Sequence, residues 1–508
     1  MDTSAAPWRN LLGFAAMTTG MFLAILDIQI VASSLLDIQL SLKIPGPRLS
    51  YIQTTYLIAE VIAIALTGWL ARVMSTRWLF VAAMIGFVVA SAACAASTTY
   101  PMLYTFRFIQ GLFGGAIIPL VFSAAFLMFP PRHQPLATVI GGGFAMLAPT
   151  VGPYIGGWIT EHLSWHWLFL INIVPGLLVA AAAGKCIKFD RPDWAHARKL
   201  DLWALAAIVI FLTTLELTLK EAPKLGWSSP LALMLALACL AAGVGTLYRC
   251  LHRPDPLIDL RTFRDPTFAI GAWFSFVLGM ALFGATYLLP LFLGIARQLG
   301  PLEIGTIMIV TGAAQLLTAP FAAFAEPRLP PRPMTAAGYG LIAAGLIWNG
   351  FATYAWDFDQ LLVPQVLRGV GFMLCFLPIT RLALGQLAPA HVPSGSALFN
   401  LVRNIGGAVG LALIDTVIEN RAPQHVERIV ARLQAGDRGM AAFVGLPLER
   451  FTGVPLRDIE PAARELVEPL VRRAAAVASL NDAWMLLGVV IVASLIAVPL
   501  MRAPSDGR

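Results

Sequence analysis

The chain has 508 residues, of which 58% are hydrophobic and only 12% charged, and its mean hydropathy is +0.76. A soluble domain carries about 25% charged residues, so a water-soluble enzyme or binding module is excluded at the outset. The formal net charge of +7 invites a nucleic-acid partner, but its placement in short loops, set out below, makes it a matter of membrane topology, and no nucleic acid is expected.

A helical span needs about 20 apolar residues. By that measure the sequence predicts an all-α polytopic membrane protein with about fourteen transmembrane helices. They fall near residues 11–32, 50–70, 78–98, 101–127, 136–160, 165–184, 201–219, 230–248, 267–294, 302–325, 334–354, 360–382, 396–418 and 482–502. The first run, Leu11 to Val31, has no small-residue cleavage site after it and carries Asp27, so it reads as a span and not as a removed signal. With the N-terminus inside, one set of loops holds Arg9, Arg72, Arg77, Arg132, a cluster from Lys185 to Lys199, another from Arg249 to Arg264, then Arg328, Arg332, Arg502 and Arg508. The opposite short loops hold only Lys43, Arg48, Lys220, Lys224 and Arg297. Basic loops stay in the cytoplasm, so both termini are expected there.

Several spans carry groups that plain anchors lack. The first contains Asp27, followed by Gln29, and the second has Glu60 at its middle. The loop after it, GWLARVMSTR, runs from Gly68 to Arg77 and includes Arg72. The fourth, RFIQGLFGGAIIPL, buries Arg107 and Gln110 one helical turn apart. A charge in lipid is expensive and faces a bundle interior or a watery cavity. The fifth, GGGFAMLAPTVGPYIGG, spaces Ala148, Gly152 and Gly156 four apart, with Gly157 beside them, which leaves one helix face nearly bare backbone. That spacing lets two membrane helices approach closely, while Pro149 and Pro153 each remove an amide donor and bend the helix. After it, Glu161, His162 and His166 have the look of a metal site. One helix offers too few ligands, so they read instead as part of an interfacial belt with Trp165 and Trp167, and no metal is expected. Glu216, near the outer end of the seventh span, is either a functional acid or a solvated helix end, with the solvated end preferred.

The second half repeats the first. QVLRGVGFMLCFLPIT, with Arg368, follows the logic of RFIQGLFGGAIIPL, and FNLVRNIGGAVGLAL, with Asn400 and Arg403, repeats the glycine-rich helix. Such repeats build transporters that rock about a site between their halves. The expected division is an N-terminal six-helix bundle over 1–184, a linker with two inserted spans over 185–266, and a C-terminal six-helix bundle over 267–508. The last includes an external loop at 419–481. That loop ends in an amphipathic stretch, PAARELVEPLVRRAAAVASL, which can rest on the bilayer surface or serve as a docking surface.

On RFIQG, APTVGPYIGG, SWHWLFLINIVPG, GWLARVMSTR and RPDPLIDLRTFRDPTF, the chain resembles the major facilitator superfamily, and within it the fourteen-span drug:proton antiporters typified by EmrB and QacA. Ala148 stands where the antiporter signature has Gly, Arg72 where the gating motif has Asp, and His166 where the later segment has Arg. The resemblance implies two bundles around a central cavity, with no cofactor. It implies Asp27, Glu60 and Arg107 as proton-coupling candidates and Gln29, Gln110, Arg368, Asn400 and Arg403 as cavity candidates. Gly68, Arg72 and Arg77 form the gating loop. It further implies a bacterial cytoplasmic (inner) membrane, with the lipid bilayer, protons and a small-molecule substrate as partners. In double-membrane bacteria a periplasmic adaptor protein and an outer-membrane channel join them.

The leading function is then secondary active export of drugs or other amphipathic small molecules, a multidrug efflux activity of the kind that gives antibiotic resistance. No phosphate-binding Gly-Lys-Ser/Thr loop appears, so an ion gradient must supply the energy. Buried carboxylates are the groups that can carry a proton. Asp27 remains open to a second reading, a permanent ion pair with Arg107. The rival substrates are a lipid, a siderophore or a sugar. The rival class is a polytopic membrane enzyme, which would need a catalytic cluster on a loop, and the seven histidines are scattered.

Overall fold

The computed structural model describes residues 7–45, 48–446 and 461–501. With no water inside a bilayer to bond free backbone groups, a spanning chain must satisfy them within helices, and the described residues form helices without a strand. In order these are α1 (Pro7–Ser33), α2 (Leu35–Leu42), α3 (Tyr51–Ala95), α4 (Tyr100–Met128), α5 (Gln134–His162), α6 (Trp167–Leu170), α7 (Ile173–Cys186), α8 (Leu202–Leu225), α9 (Pro230–His252), α10 (Pro266–Phe292), α11 (Pro301–Ala325), α12 (Pro331–Asn349), α13 (Phe358–Leu384), α14 (Val392–Gln434), α15 (Arg438–Val444) and α16 (Pro461–Ser494).

Among the described residues, twelve helical stretches are long and apolar enough to cross a membrane. One of them, the 45-residue α3, is two spans, because Ser75 leaves helical geometry at φ 68° and ψ 156° and the chain turns there. α12 packs between α13 and α16 inside the bundle; Arg332, Asn349 and its prolines lower its mean hydropathy, and it is the fourteenth. Starts are written locally: Asp201 accepts from the amides of Trp203 and Ala204, both at 3.1 Å, and Ser229 from that of Ala232 at 3.3 Å, as N-caps do.

The first half is α1, the two arms of α3, α4, α5 and α7; the second is α10 to α14 with α16. α8 and α9 pair with each other, and α8 leans on both α3 and α14. The halves meet along two seams, α5 against α11 and α3 against α14. An even number of spans returns the chain to the face from which it started, so that end is called here the termini face.

Residues 419–481 are largely helical and not an extended loop. α14 runs on to Gln434, α15 follows, and α16 starts at Pro461. Ile429, Leu433, Met440, Val444, Val471 and Ala474 close a small core of their own there. Residues 447–460 of that segment, and Arg502 and Arg508 of the basic set, lie outside the described residues.

Candidate functional site

Asp27 on α1 and Arg107 on α4 are fully buried and joined at 2.5 Å. The same carboxylate accepts from Gln110 Nε2 at 3.0 Å and from Asn172 Nδ2 at 2.7 Å. Gln110 Oε1 accepts from Arg107 Nη1 at 2.7 Å, and Gln110 Nε2 also reaches Ser91 Oγ at 2.8 Å. The guanidinium lies over the Tyr56 ring at 4.4 Å and faces Phe169 at 5.7 Å. Its Nε and Nη2 have no hydrogen-bond partner, so the aromatic faces are what those donors meet. The helix spacing explains Arg107 and Gln110, which sit three apart on one face of α4. The constellation is sealed inside the first half, among α1, α3, α4 and the start of α7, and does not open onto the joint between halves.

α5 explains how α1 comes so near. A Cβ added at Gly152 would stand 2.3 Å from Gln29 Cβ, so Gln29 is packed on the glycine and is half-buried. One turn on, Gly156 O accepts from Thr160 Oγ1 at 2.8 Å and from Ser34 Oγ at 3.4 Å. Ala148 and Gly157 are buried in the same helix, and Pro149 and Pro153 lie within it. The opposite side of α5 meets the second half: a Cβ at Gly305 would lie 2.5 Å from Tyr154 N, and one at Gly312 2.5 Å from Thr150 Cγ2. The sequence reading did not single out this glycine pair of α11, although a spacing of two helical turns in an apolar run was a usable signal.

Between the halves lies a narrow cleft of about 30 Å³. Met146, Leu289, Met308 and Phe372 give it apolar walls, and Thr311, Gln315 and Arg368 are polar. Arg368 is 2% exposed. Its Nε and Nη1 have no partner, nor has Gln315 Oε1, and Trp484 lies 5.1 Å from the guanidinium. Behind them Gln365 accepts from Thr311 at 3.1 Å. Arg403 donates to Asn400 Oδ1 and is ringed by Phe122, Phe376 and Phe399 at 5.4, 5.7 and 5.9 Å. Of the residues expected to line a cavity, Arg368 lines this cleft, Arg403 and Asn400 sit at the joint under aromatics, and Gln110 and Gln29 lie within the first half. Asn172 was missed as a contributor; an amide alone in LFLINIVPG was the signal for it.

Glu60 is buried on α3, 5% exposed. The loop from Gly68 to Arg77 lies at the termini face. A Cβ at Gly68 would come 2.7 Å from Ser394 Cα of α14, Arg72 donates to Pro256 O at 3.3 Å, and Arg77 covers the Trp78 ring at 4.6 Å. Asp190 accepts from the Thr76 amide at 2.5 Å, which holds the turn. In the linker beside it, the hydrogen bond from Lys199 keeps the Asp255 carboxyl below the usual carboxylate range. His162 stacks on Trp158 at 4.9 Å and His166 on Trp165 at 3.9 Å.

Known proteins agree with this architecture. The pattern that describes the Major Facilitator Superfamily matches residues 17–411. The Colistin resistance protein EmrB of Acinetobacter baumannii is 39% identical, over 82% of this chain and 81% of its own length. The Multidrug export protein EmrB of Escherichia coli K12 is 28% identical, over 81% and 80%. Among solved structures, the proton:xylose symporter XylE superposes with a TM-score of 0.60 at 12% identity, covering 97% of this chain and 96% of that one. The human organic anion transporter MFSD10 superposes at 0.59 and 12%, covering 96% and 100%. With its two six-span halves, its inserted pair of helices and these relatives, the chain belongs to the major facilitator superfamily, and within it to the EmrB-type transporters.

Proposed function

We propose that the chain is a proton-driven exporter of drugs or other amphipathic small molecules, set in the bacterial inner membrane with both termini in the cytoplasm. The observation that carries the reading is the buried Asp27–Arg107 constellation, a titratable acid beside a fixed cation. Arginine keeps its proton in proteins, so only Asp27 can change charge there. α5 holds α1 at Gly152 and meets α11 of the second half through Thr150 and Tyr154, so rocking of the halves can shift α1 through α5 and open Asp27 to water and to a proton. The substrate occupies the cleft, its apolar body against Met146, Met308 and Phe372 and a hydrogen-bond acceptor toward the idle donors of Arg368. The narrowness of the cleft in this state supports an occluded conformation. The names of the EmrB relatives support drugs over a lipid, siderophore or sugar. The helical segment over 419–481, with a core of its own, is a suitable platform for a periplasmic adaptor.

The test is transport into inverted membrane vesicles under an imposed pH gradient, with compounds chosen from a growth panel on which expression confers resistance. Asp27→Asn, which mimics the protonated form, is expected to bind substrate and lose gradient-driven uptake. Undiminished dependence on the gradient would move coupling away from Asp27. Reporter fusions after Asp190 and after Leu456 should read as cytoplasmic and external respectively.

A further inference from the structure

The inserted helices α8 and α9 form one hairpin. At the termini face it is closed by ion pairs: Asp201 Oδ2 meets Arg249 Nη1 at 3.3 Å and Arg253 Nε at 3.1 Å. Along its length Phe211 of α8 packs on Gly243 of α9, where an added Cβ would lie 3.1 Å from the ring. At the opposite face the turn between them is short and has little slack. Gly226 takes φ 85°, a conformation glycine adopts without strain, and the Ser229 amide donates to Gly226 O at 3.0 Å. α9 turns Leu233, Leu237 and Leu240 outward, each more than half exposed, and α8 is the helix that meets both halves.

α8 lies across the seam between α3 and α14. It packs mainly on α14, and Trp227 in the turn donates to Thr416 of that helix at 3.1 Å. The hairpin is thus seated on the second half. At the termini end of the seam α3 and α14 touch directly, at Gly68 and Ser394, and Ser396 Oγ donates across the joint to Pro119 O of α4 at 2.7 Å. At about 1.5 Å per residue, Tyr51 lies about 26 Å from Gly68 and Thr416 about 33 Å from Ser394 along their helices, so both mark the opposite end of the seam. There α8 reaches across to α3. Tyr51 Oη donates to Glu221 at 3.0 Å. Lys220 donates to Thr54 and lies over the Tyr51 ring at 4.3 Å. Polar contacts at a helix end contribute little net free energy, since water can replace them.

We propose that the α8–α9 hairpin is a latch on the face opposite the termini. It rides with the second half and holds the first half to it through Tyr51, Thr54, Lys220 and Glu221. When the halves rock, the seam parts at that face only as these contacts break, while the packing on α14 and the Trp227–Thr416 bond persist. The latch makes opening of that face rarer and completes its closing. The inserted helices are thereby part of the moving machine and not a spacer. The proposal rests on the alternation of the two halves and not on the nature of the substrate.

The experiment is hydrogen–deuterium exchange of the purified full chain in lipid nanodiscs, read by mass spectrometry, since amide exchange reports how often a region opens. Tyr51→Phe removes the donor to Glu221. It should speed exchange at the latched end of the seam, residues 51–58 and 410–418, about fivefold, the shift that one hydrogen bond supplies. Lys220→Met should add to that gain. At the termini end, residues 66–72 and 392–398, exchange should slow, because the seam closes there as it opens at the other end. Trp227→Phe touches the side that does not part, so it should leave residues 51–58 as they are. Unchanged exchange in both Tyr51→Phe and Lys220→Met would overturn the proposal. So would a rise at both ends of the seam, which is loosened packing, or a Trp227→Phe that matches Tyr51→Phe, which would seat the hairpin on the first half. If exchange behaves as stated while no compound is moved by a pH gradient, the exporter reading fails and the latch stands.

Discussion

Arg107 and Arg368 occupy matching helices of the two halves, each three residues from a glutamine, and their surroundings differ in kind. Arg107 meets Asp27, Gln110 and two aromatic rings, and the group is sealed. Arg368 meets Trp484 and the cleft; among the described residues no acid pairs with it, and two of its nitrogens are idle. Arg403, 6% exposed, adds a second buried cation to that half with only Asn400 and phenylalanines for company. A sequence repeat therefore conserves helix geometry without conserving charge balance. In this state the first half holds its arginine against an acid, and the second presents bare positive charge where the halves meet. Unpaired buried charge is costly, and sites that retain it are where function is to be sought.

Breaking the first half at its acid should have the largest effect. Asp27→Ala leaves Arg107 buried and alone, and breaking one side of a buried pair costs about 3–5 kcal/mol. Thermal unfolding in detergent should register it, and Asp27→Ala with Arg107→Met should recover most of the loss, since neither charge then remains. A double variant no more stable than Asp27→Ala would mean that the helices, and not the charge, had failed.

Next in size is the packing that brings α1 to α5. Gly152→Leu must displace Gln29, and overpacking costs about 1–3 kcal/mol. Insertion follows hydropathy and not packing, so the variant should reach the membrane and not transport. The second half holds a counterpart, where a Cβ at Gly406 would lie 2.1 Å from Phe276 O of α10. Gly406→Leu should match it in kind. A silent Gly406→Leu beside a dead Gly152→Leu would show that close packing matters in one half alone.

The glutamines give a smaller contrast. Gln110 bonds Arg107, Asp27 and Ser91, whereas Gln365 accepts once, from Thr311, with Nε2 idle. Hydrogen bonds to charged groups contribute about 1.5–3 kcal/mol and neutral ones about 1 kcal/mol. Gln110→Leu should thus lower the midpoint of unfolding more than Gln365→Leu does, and equal losses would deny the asymmetry between halves.

Much of this was legible in the chain. Apolar runs separated by basic loops gave the spans, because a helix in lipid needs only length and hydropathy. Gly152 and Gly156 announced a close approach, because no other residue leaves bare backbone. What stayed hidden depends on which side of a helix meets which neighbour. Nothing in the line of α8 that carries Lys220 told that it would meet Thr54 and Tyr51 of α3. Residues 419–481 were polar enough to pass for a loop, since an amphipathic helix outside the membrane has no long apolar run to reveal it. The seal around Arg107 was hidden too: RFIQG and QVLRG look alike, and only the partner helices differ.

Arg368→Met should have the smallest effect on stability and the opposite sign. The side chain is 2% exposed with idle donors and no acid beside it, so its removal strands no countercharge. A methionine fills similar volume without the desolvation that the guanidinium suffers in place. The unfolding midpoint should hold or rise, by the equivalent of about 1 kcal/mol or less. Transport should fall all the same, because a substrate held in the cleft as proposed loses the donors that face it. The loss should appear as a raised KM for substrates with an acidic or strongly accepting group and should spare those without one. Arg368→Lys keeps the charge but not the planar fork, so it should restore part of the affinity. A destabilised Arg368→Met would mean that the arginine has a structural partner after all and that the two halves are less different than their arginines indicate.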